Sequence, residues 1–125
     1  MPDNTCNLDR KLSAIAEEAY KALRSNIRFY GVNENFKTLT ITSGNPGDGK
    51  TTIAVNVANA FAESGLKVLY VDADLRKAKP IKLINVDGMK GLSSLLSGHA
   101  TLEQVINPTD IQGLFMIHSG VKPPN

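Results

Sequence analysis

The chain has 125 residues, 42% hydrophobic and 21% charged, the balance of one soluble globular domain rather than a disordered tail. Fourteen basic residues against twelve acidic ones leave +2, too little to argue for a nucleic-acid binder. No apolar run approaches a membrane span, the first eight residues lack a signal peptide's basic head and apolar stretch, and the single cysteine, Cys6, forbids an intrachain disulfide and allows a cytosolic setting.

In chain order, residues 8–30 read as one amphipathic helix. Leu8, Leu12, Ile15, Ala19, Leu23, Ile27 and Tyr30 recur at spacings of three and four, and Gly31 is placed to end it. Residues 38–42 (TLTIT) form a short β-rich run, read as a strand that enters a turn-rich loop. A second helix is expected over 51–64, with Gly65 as its stop. Residues 67–71 (KVLYV) are apolar and β-branched, as in a buried parallel strand, and the basic stretch 74–91 has no clear pattern. Two short helices are expected at 91–96 and 102–106, the second capped by Thr101 with Gln104 three residues on. Residues 114–118 (LFMIH) read as a third strand. Alternating strands and helices predict a three-layer α/β/α fold with a mostly parallel sheet.

One loop carries a strong chemical signal. Gly44-Asn45-Pro46-Gly47-Asp48-Gly49-Lys50-Thr51 matches G-x-x-x-x-G-K-[ST] at every fixed position, with a strand leading in and a helix leading out. Glycines let the backbone approach an anion closely, the N–H groups form a nest for phosphate oxygens, and the following helix adds its positive dipole end. Lys50 reaches the terminal phosphates, Thr51 offers Mg²⁺ a hydroxyl, and Thr52 reaches the α-phosphate. A second signal lies at the end of the 67–71 strand, where Asp72 and Asp74 stand two residues apart. Ligands of open α/β sheets sit beyond the carboxyl ends of strands, so both acids belong on the rim that holds Lys50, as Mg²⁺ ligands or with one as a proton acceptor. Arg76, Lys77 and Lys79 read as a solvated basic loop, with a hold for phosphate or an acidic partner as the alternative, His99 and His118 do not resemble a metal site, and Tyr20 and Tyr70 fit apolar stripes as packing residues.

These segments together resemble the P-loop tyrosine kinases of bacterial capsule and exopolysaccharide synthesis. Residues 18–27 (EAYKALRSNI) look like the family's lead helix, 42–52 like its Walker A segment, and 71–76 (VDADLR) like its Walker A′ motif. Residues 91–98 (GLSSLLSG) and 119–125 (SGVKPPN) also resemble family segments. The division that follows is a lead helix over 1–30 and a nucleotide-binding core over 37–125 of a single kinase domain. The resemblance implies ATP-dependent phosphorylation of tyrosine, with ATP and Mg²⁺ as cofactors and tyrosine-bearing proteins as substrates. Lys50 would bind phosphate and Thr51 magnesium; Asp72 would be the base for the incoming tyrosine and Asp74 would help organise magnesium. It further implies a cytoplasmic protein held at the inner membrane face by a membrane-anchored activator, whose cytoplasmic tail switches the kinase on. A ring of copies would assemble through an E-x-x-R-x-x-R pattern that falls here on Glu18, Lys21 and Arg24, with lysine in place of the middle arginine.

By the same resemblance the sequence stops before the family's next apolar strand, the Walker B segment, and its tyrosine-rich tail. Residues 38–42 are then expected to present an unpaired apolar edge, and the chain to be a fragment with impaired activity. Two other readings share the loop. A positioning ATPase of the partitioning type normally carries an extra lysine near the loop's start, where this chain has Gly44-Asn45-Pro46. A non-catalytic nucleotide-binding module needs only the loop.

Overall fold

The structure is a computed structural model that describes residues 5, 8, 12–31, 35–44, 49–75 and 90–120. The sequence readings at 45–48, 76–89 and 121–125, and at Cys6, lie outside the described residues.

Helix α1 spans Ala14–Tyr30, six residues shorter at its start than the apolar periodicity predicts. Ser13 sets the boundary. Its backbone is extended and its hydroxyl accepts the Ala16 amide at 3.1 Å, satisfying one of the donors that a helix start leaves open. Leu8 therefore lies before the helix, buried against Leu114 and Met116, with its amide on Asp110 Oδ1 at 3.0 Å. The expected inner stripe is also turned. Ile15 is 85% and Tyr30 83% exposed, while Ala16, Tyr20, Arg24 and Ile27 are half-buried. Arg24 takes part in this face: its Nη1 donates to the Ala60 carbonyl of the next helix at 2.6 Å, so a charged residue occupies the packing face.

Helix α2, Lys50–Glu63, is the spine of the core, with Val55, Val57, Ala58, Ala60 and Ala62 buried. Its buried Asn56 and Asn59 are satisfied by the Thr52 carbonyl and the Glu63 carboxylate. It ends at Ser64 and Gly65, as expected. Strand β1 (Val68–Val71), the short helices α3 (Leu92–Leu96) and α4 (Leu102–Val105), and strands β2 (Asn107–Pro108) and β3 (Leu114–Ile117) follow. The Thr101 cap is as predicted: the Gln104 amide donates to its hydroxyl, and its own amide donates to the Gln104 side chain at 2.9 Å.

The sheet order is β1-β3-β2. β1 and β3 run parallel, in a register that pairs Val68 with Leu114 and Val71 with Ile117. β2, too short to register as a strand in the sequence, pairs antiparallel with β3, so the sheet is mixed. β1 is not the fully buried strand its composition predicts: Val68 and Tyr70 pack on the core beneath α2, but Leu69 and Val71 are 44% and 41% exposed. Residues 38–42 do not form the predicted strand. They have no ladder partner among the described residues, and together with β1 they line a cavity of about 1970 Å³. An extended chain becomes a strand only when a neighbour supplies donors and acceptors.

Candidate nucleotide site

The site is built where α2 begins and β1 ends. Gly49 precedes α2 with φ +76°, a left-handed conformation that glycine adopts without strain. No side chain caps the helix, so its first turn directs backbone donors and the positive dipole end toward the loop. Lys50 is the first helical residue, and Thr51 and Thr52 complete the opening turn. Gly44 and Gly49 flank the part of the loop, 45–48, that lies outside the described residues.

β1 delivers the acids. The Asp72 amide continues the ladder to the Ile117 carbonyl at 2.9 Å, and Asp72 Oδ1 accepts the Asp74 amide at 3.1 Å. That turn holds both residues at the strand's carboxyl end. Gly44, Lys50, Thr51, Asp72 and Asp74 all line the one cavity, so the geometry joins both sequence signals on one rim.

The electrostatics suit an ion-binding rim. Burial pushes the Asp72 carboxyl above its ordinary value, and the Asp74 charge adds to this; the Asp74 amide, His118 and Lys50 pull it back. Tyr70 is pushed up to about 12 by burial and by the Asp72 charge, against a hydrogen bond with Thr51 that favours the ionised form. A carboxylate held above its usual pKa is short of positive charge, which a cation or Lys50 supplies. The donor set is a hydroxyl and two carboxylates, all hard oxygens. That fits Mg²⁺, which typically takes one or two carboxylates and shares its remaining positions with phosphate and water. Lys50, Thr51, Asp72 and Asp74 are thus brought together, whereas Glu18, Lys21 and Arg24 lie apart on α1. There Lys21 pairs with Glu18 at 3.5 Å, and Arg24 is engaged with Ala60.

Two neighbours escape a reading by motif. His118 follows β3 in the register position beside Asp72 and is 8% exposed. Its Nδ1 accepts the Gly120 amide at 3.1 Å, and its Nε2 has no partner of good geometry among the described residues. Burial lowers its pKa, although the Lys90 backbone and Asp72 favour the charged form. Tyr70 is a packing residue, as its stripe predicts, and it lines the same cavity as Thr51. The signal for both is strand register, which a single sequence does not display.

Residues 39–124 match the family described as the CobQ/CobB/MinD/ParA nucleotide binding domain. Over 112 residues the chain is 38% identical to tyrosine-protein kinase YwqD of Bacillus subtilis, covering 90% of this chain and 47% of that protein. Over 111 residues it is 40% identical to tyrosine-protein kinase CpsD of Streptococcus pneumoniae, covering 88% and 48%. The solved BceF tyrosine kinase domain superposes with a TM-score of 0.81 at 32% identity, covering 98% of this chain and 49% of that one. The chain spans about half the length of the curated relatives it matches.

Proposed function

The chain belongs to the CobQ/CobB/MinD/ParA nucleotide-binding family, and on that premise we propose that it is the nucleotide-binding part of an ATP-dependent protein-tyrosine kinase serving capsular or extracellular polysaccharide synthesis. One observation carries the reading: Lys50 and Thr51 of the phosphate loop share a cavity with Asp72 and Asp74, and Lys50 and Asp72 feel each other's charge. Likeness to bacterial tyrosine kinases over nearly all of the chain supports the choice of phosphoryl acceptor.

In this reading Lys50 and the first-turn amides of α2 hold the terminal phosphates and stabilise the charge that develops there. Mg²⁺, when bound, neutralises phosphate charge, and Thr51, Asp72 and Asp74 are the residues that would hold it. Asp72, raised in pKa by its burial, accepts the proton of the incoming tyrosine hydroxyl. Asp74 contributes its charge on the nucleotide side. A membrane-anchored activator, through its cytoplasmic tail, brings the chain to the membrane. Glu18, exposed on α1, and its half-buried partner Lys21 would meet a second copy, and Arg24 serves the fold.

Lys50→Met removes a charge-assisted contact of about 1.5–3 kcal/mol. Affinity for a fluorescent ATP analogue then falls by about ten- to hundredfold. Equal affinities for parent and variant overturn the reading.

One observation favours a second reading, nucleotide binding without transfer. Leu39, Leu69 and Val71 are exposed and line the same cavity as the acids, and a cleft open to solvent weakens the electrostatics that transfer needs. Labelled ATP with a tyrosine-bearing substrate separates the two: labelled phosphotyrosine supports the kinase, and binding without label supports the second.

A further inference from the structure

We propose that His118 is a positioning residue for Asp72: its Nε2–H donates to one oxygen of the Asp72 carboxylate and leaves the other turned toward the cation that accompanies the nucleotide. The inference rests on the reading of Asp72 as a site carboxylate and goes beyond it, because it assigns a function to a side chain outside both sequence motifs.

The placement follows from the ladder between β1 and β3. Val71 pairs with Ile117, and the Asp72 amide donates to the Ile117 carbonyl at 2.9 Å, so the next register position sets His118 beside Asp72. Side chains alternate along each strand. His118 therefore shares the face of Leu114 and Met116, and Asp72 that of Val68 and Tyr70, all four packed in the core with α2. His118 is 8% exposed and lies outside the lining of the cavity that Asp72 lines. It stands behind the carboxylate and acts through it, without touching the nucleotide.

The ring's own bonds single out one nitrogen. Nδ1 accepts the Gly120 amide at 3.1 Å, so it carries no proton, and the ring's proton sits on Nε2. That N–H is buried and has no hydrogen-bond partner among the described residues. Buried donors are almost always paired, and an exception calls for an explanation. Two acceptors stand near, the Lys90 carbonyl and the Asp72 carboxylate. The segment that follows Lys90 is tied down, because Leu92 and Ser93 donate their amides to the His118 and Ser119 carbonyls at 2.8 and 3.0 Å, and from that place Lys90 makes no bond to Nε2. A carboxylate, by contrast, turns about its own torsions. Asp72 Oδ1 accepts the Asp74 amide with one lone pair, which leaves its other for a cation and Oδ2 for Nε2. Carboxylates that ligate metals are in turn hydrogen-bonded, and removal of such a partner typically costs about 10- to 100-fold in metal affinity.

The experiment titrates the chain with a fluorescent ADP analogue in EDTA and in excess Mg²⁺. His118→Leu removes the donor and keeps an apolar filling, whereas His118→Gln keeps an N–H donor at about the reach of Nε2. Both should match the parent in EDTA within about twofold, which also reports an intact fold. The gain on adding Mg²⁺ should fall about three- to tenfold in His118→Leu and be retained in His118→Gln. Asp72→Asn should lose the gain, and His118→Leu added to it should cost nothing more. The parent supplies a second measurement, by nitrogen NMR of isotope-labelled histidine. His118 should be protonated on Nε2, and that resonance should move when ADP is added with Mg²⁺ but not with EDTA, while exposed His99, bonded to Ser97, stays unchanged. If His118→Leu gains as much from Mg²⁺ as the parent, if His118→Gln does no better, if the losses add, or if folded His118→Leu is weakened equally in EDTA, the inference fails and the nucleotide reading stands. A parent Nε2 that carries no proton, or that Mg²⁺ and ADP leave unmoved, has the same meaning, and it alone decides if His118→Leu does not fold. If the parent binds no nucleotide, gains nothing from Mg²⁺, or keeps its whole gain in Asp72→Asn, the reading of the site fails and carries the inference with it.

Discussion

The two edges of β1 stand in opposite circumstances. On one side β3 pairs with it over four residues, and the ladder runs on through Asp72. On the other, residues 38–42 run without a ladder partner among the described residues, across an open cavity. Leu114 and Met116 on β3 are 1% exposed, whereas Leu39 is 48% exposed. The nucleotide site straddles this divide. Its acids hang from the paired edge, and its phosphate loop is entered from the unpaired segment. Position on the acid side is set by a strand ladder; on the phosphate side Lys50, Thr51 and Thr52 are set by the first turn of α2.

If that contrast is real, equal truncations on the two sides must have unequal effects. Leu114→Ala opens a cavity in the packed core and should destabilise the chain by about 2–5 kcal/mol, read from urea unfolding at constant slope. A loss below that range would mean that β3 is not the fixed element described. A subtler effect follows from Asp72. Its pKa is raised in the folded chain, so the stability it contributes is full below the unfolded value of about 3.9 and is lost as pH rises through the folded value. Asp72→Asn, uncharged throughout, should therefore melt at increasingly higher temperature than the parent as pH rises from about 4 toward 7. The rise should be about a few degrees at most, since the half-exposed carboxyl is screened by water. A difference that shrinks with pH would show that Asp72 is not held by burial. The smallest effect belongs to the open side: Leu39→Ala should change unfolding free energy by no more than about 0.5 kcal/mol. A loss as large as that of Leu114→Ala would place residues 38–42 inside a core and erase the contrast.

What can be read from sequence follows the same line. Lys50, Thr51, Asp72 and Asp74 are legible because each depends on a local pattern plus one general rule, that strand ends form the rim. The Thr101–Gln104 cap is legible because its geometry closes within four residues. The fate of residues 38–42 is not, since the pattern TLTIT promises a strand but cannot supply its neighbour. Nor is the inward face of α1, where an apolar stripe points to a helix but the face that packs includes Arg24, bonded to Ala60. The placement of His118 beside Asp72 arises from register between segments distant in the chain.

The tail of β3 has one more consequence, for the order in which structure opens. Leu92 and Ser93, the first residues of α3, donate their amides to the carbonyls of His118 and Ser119 at 2.8 and 3.0 Å. A Cβ on Gly91 would collide with the His118 carbonyl and the Gly120 backbone, so the two segments cross with no side chain between them. A helix of five residues does not persist alone in water. Exchange of the Leu92 and Ser93 amides with deuterium is then governed by the opening of the strand tail rather than by fraying of the helix. Both amides should exchange together with those of β3, as one cooperative unit.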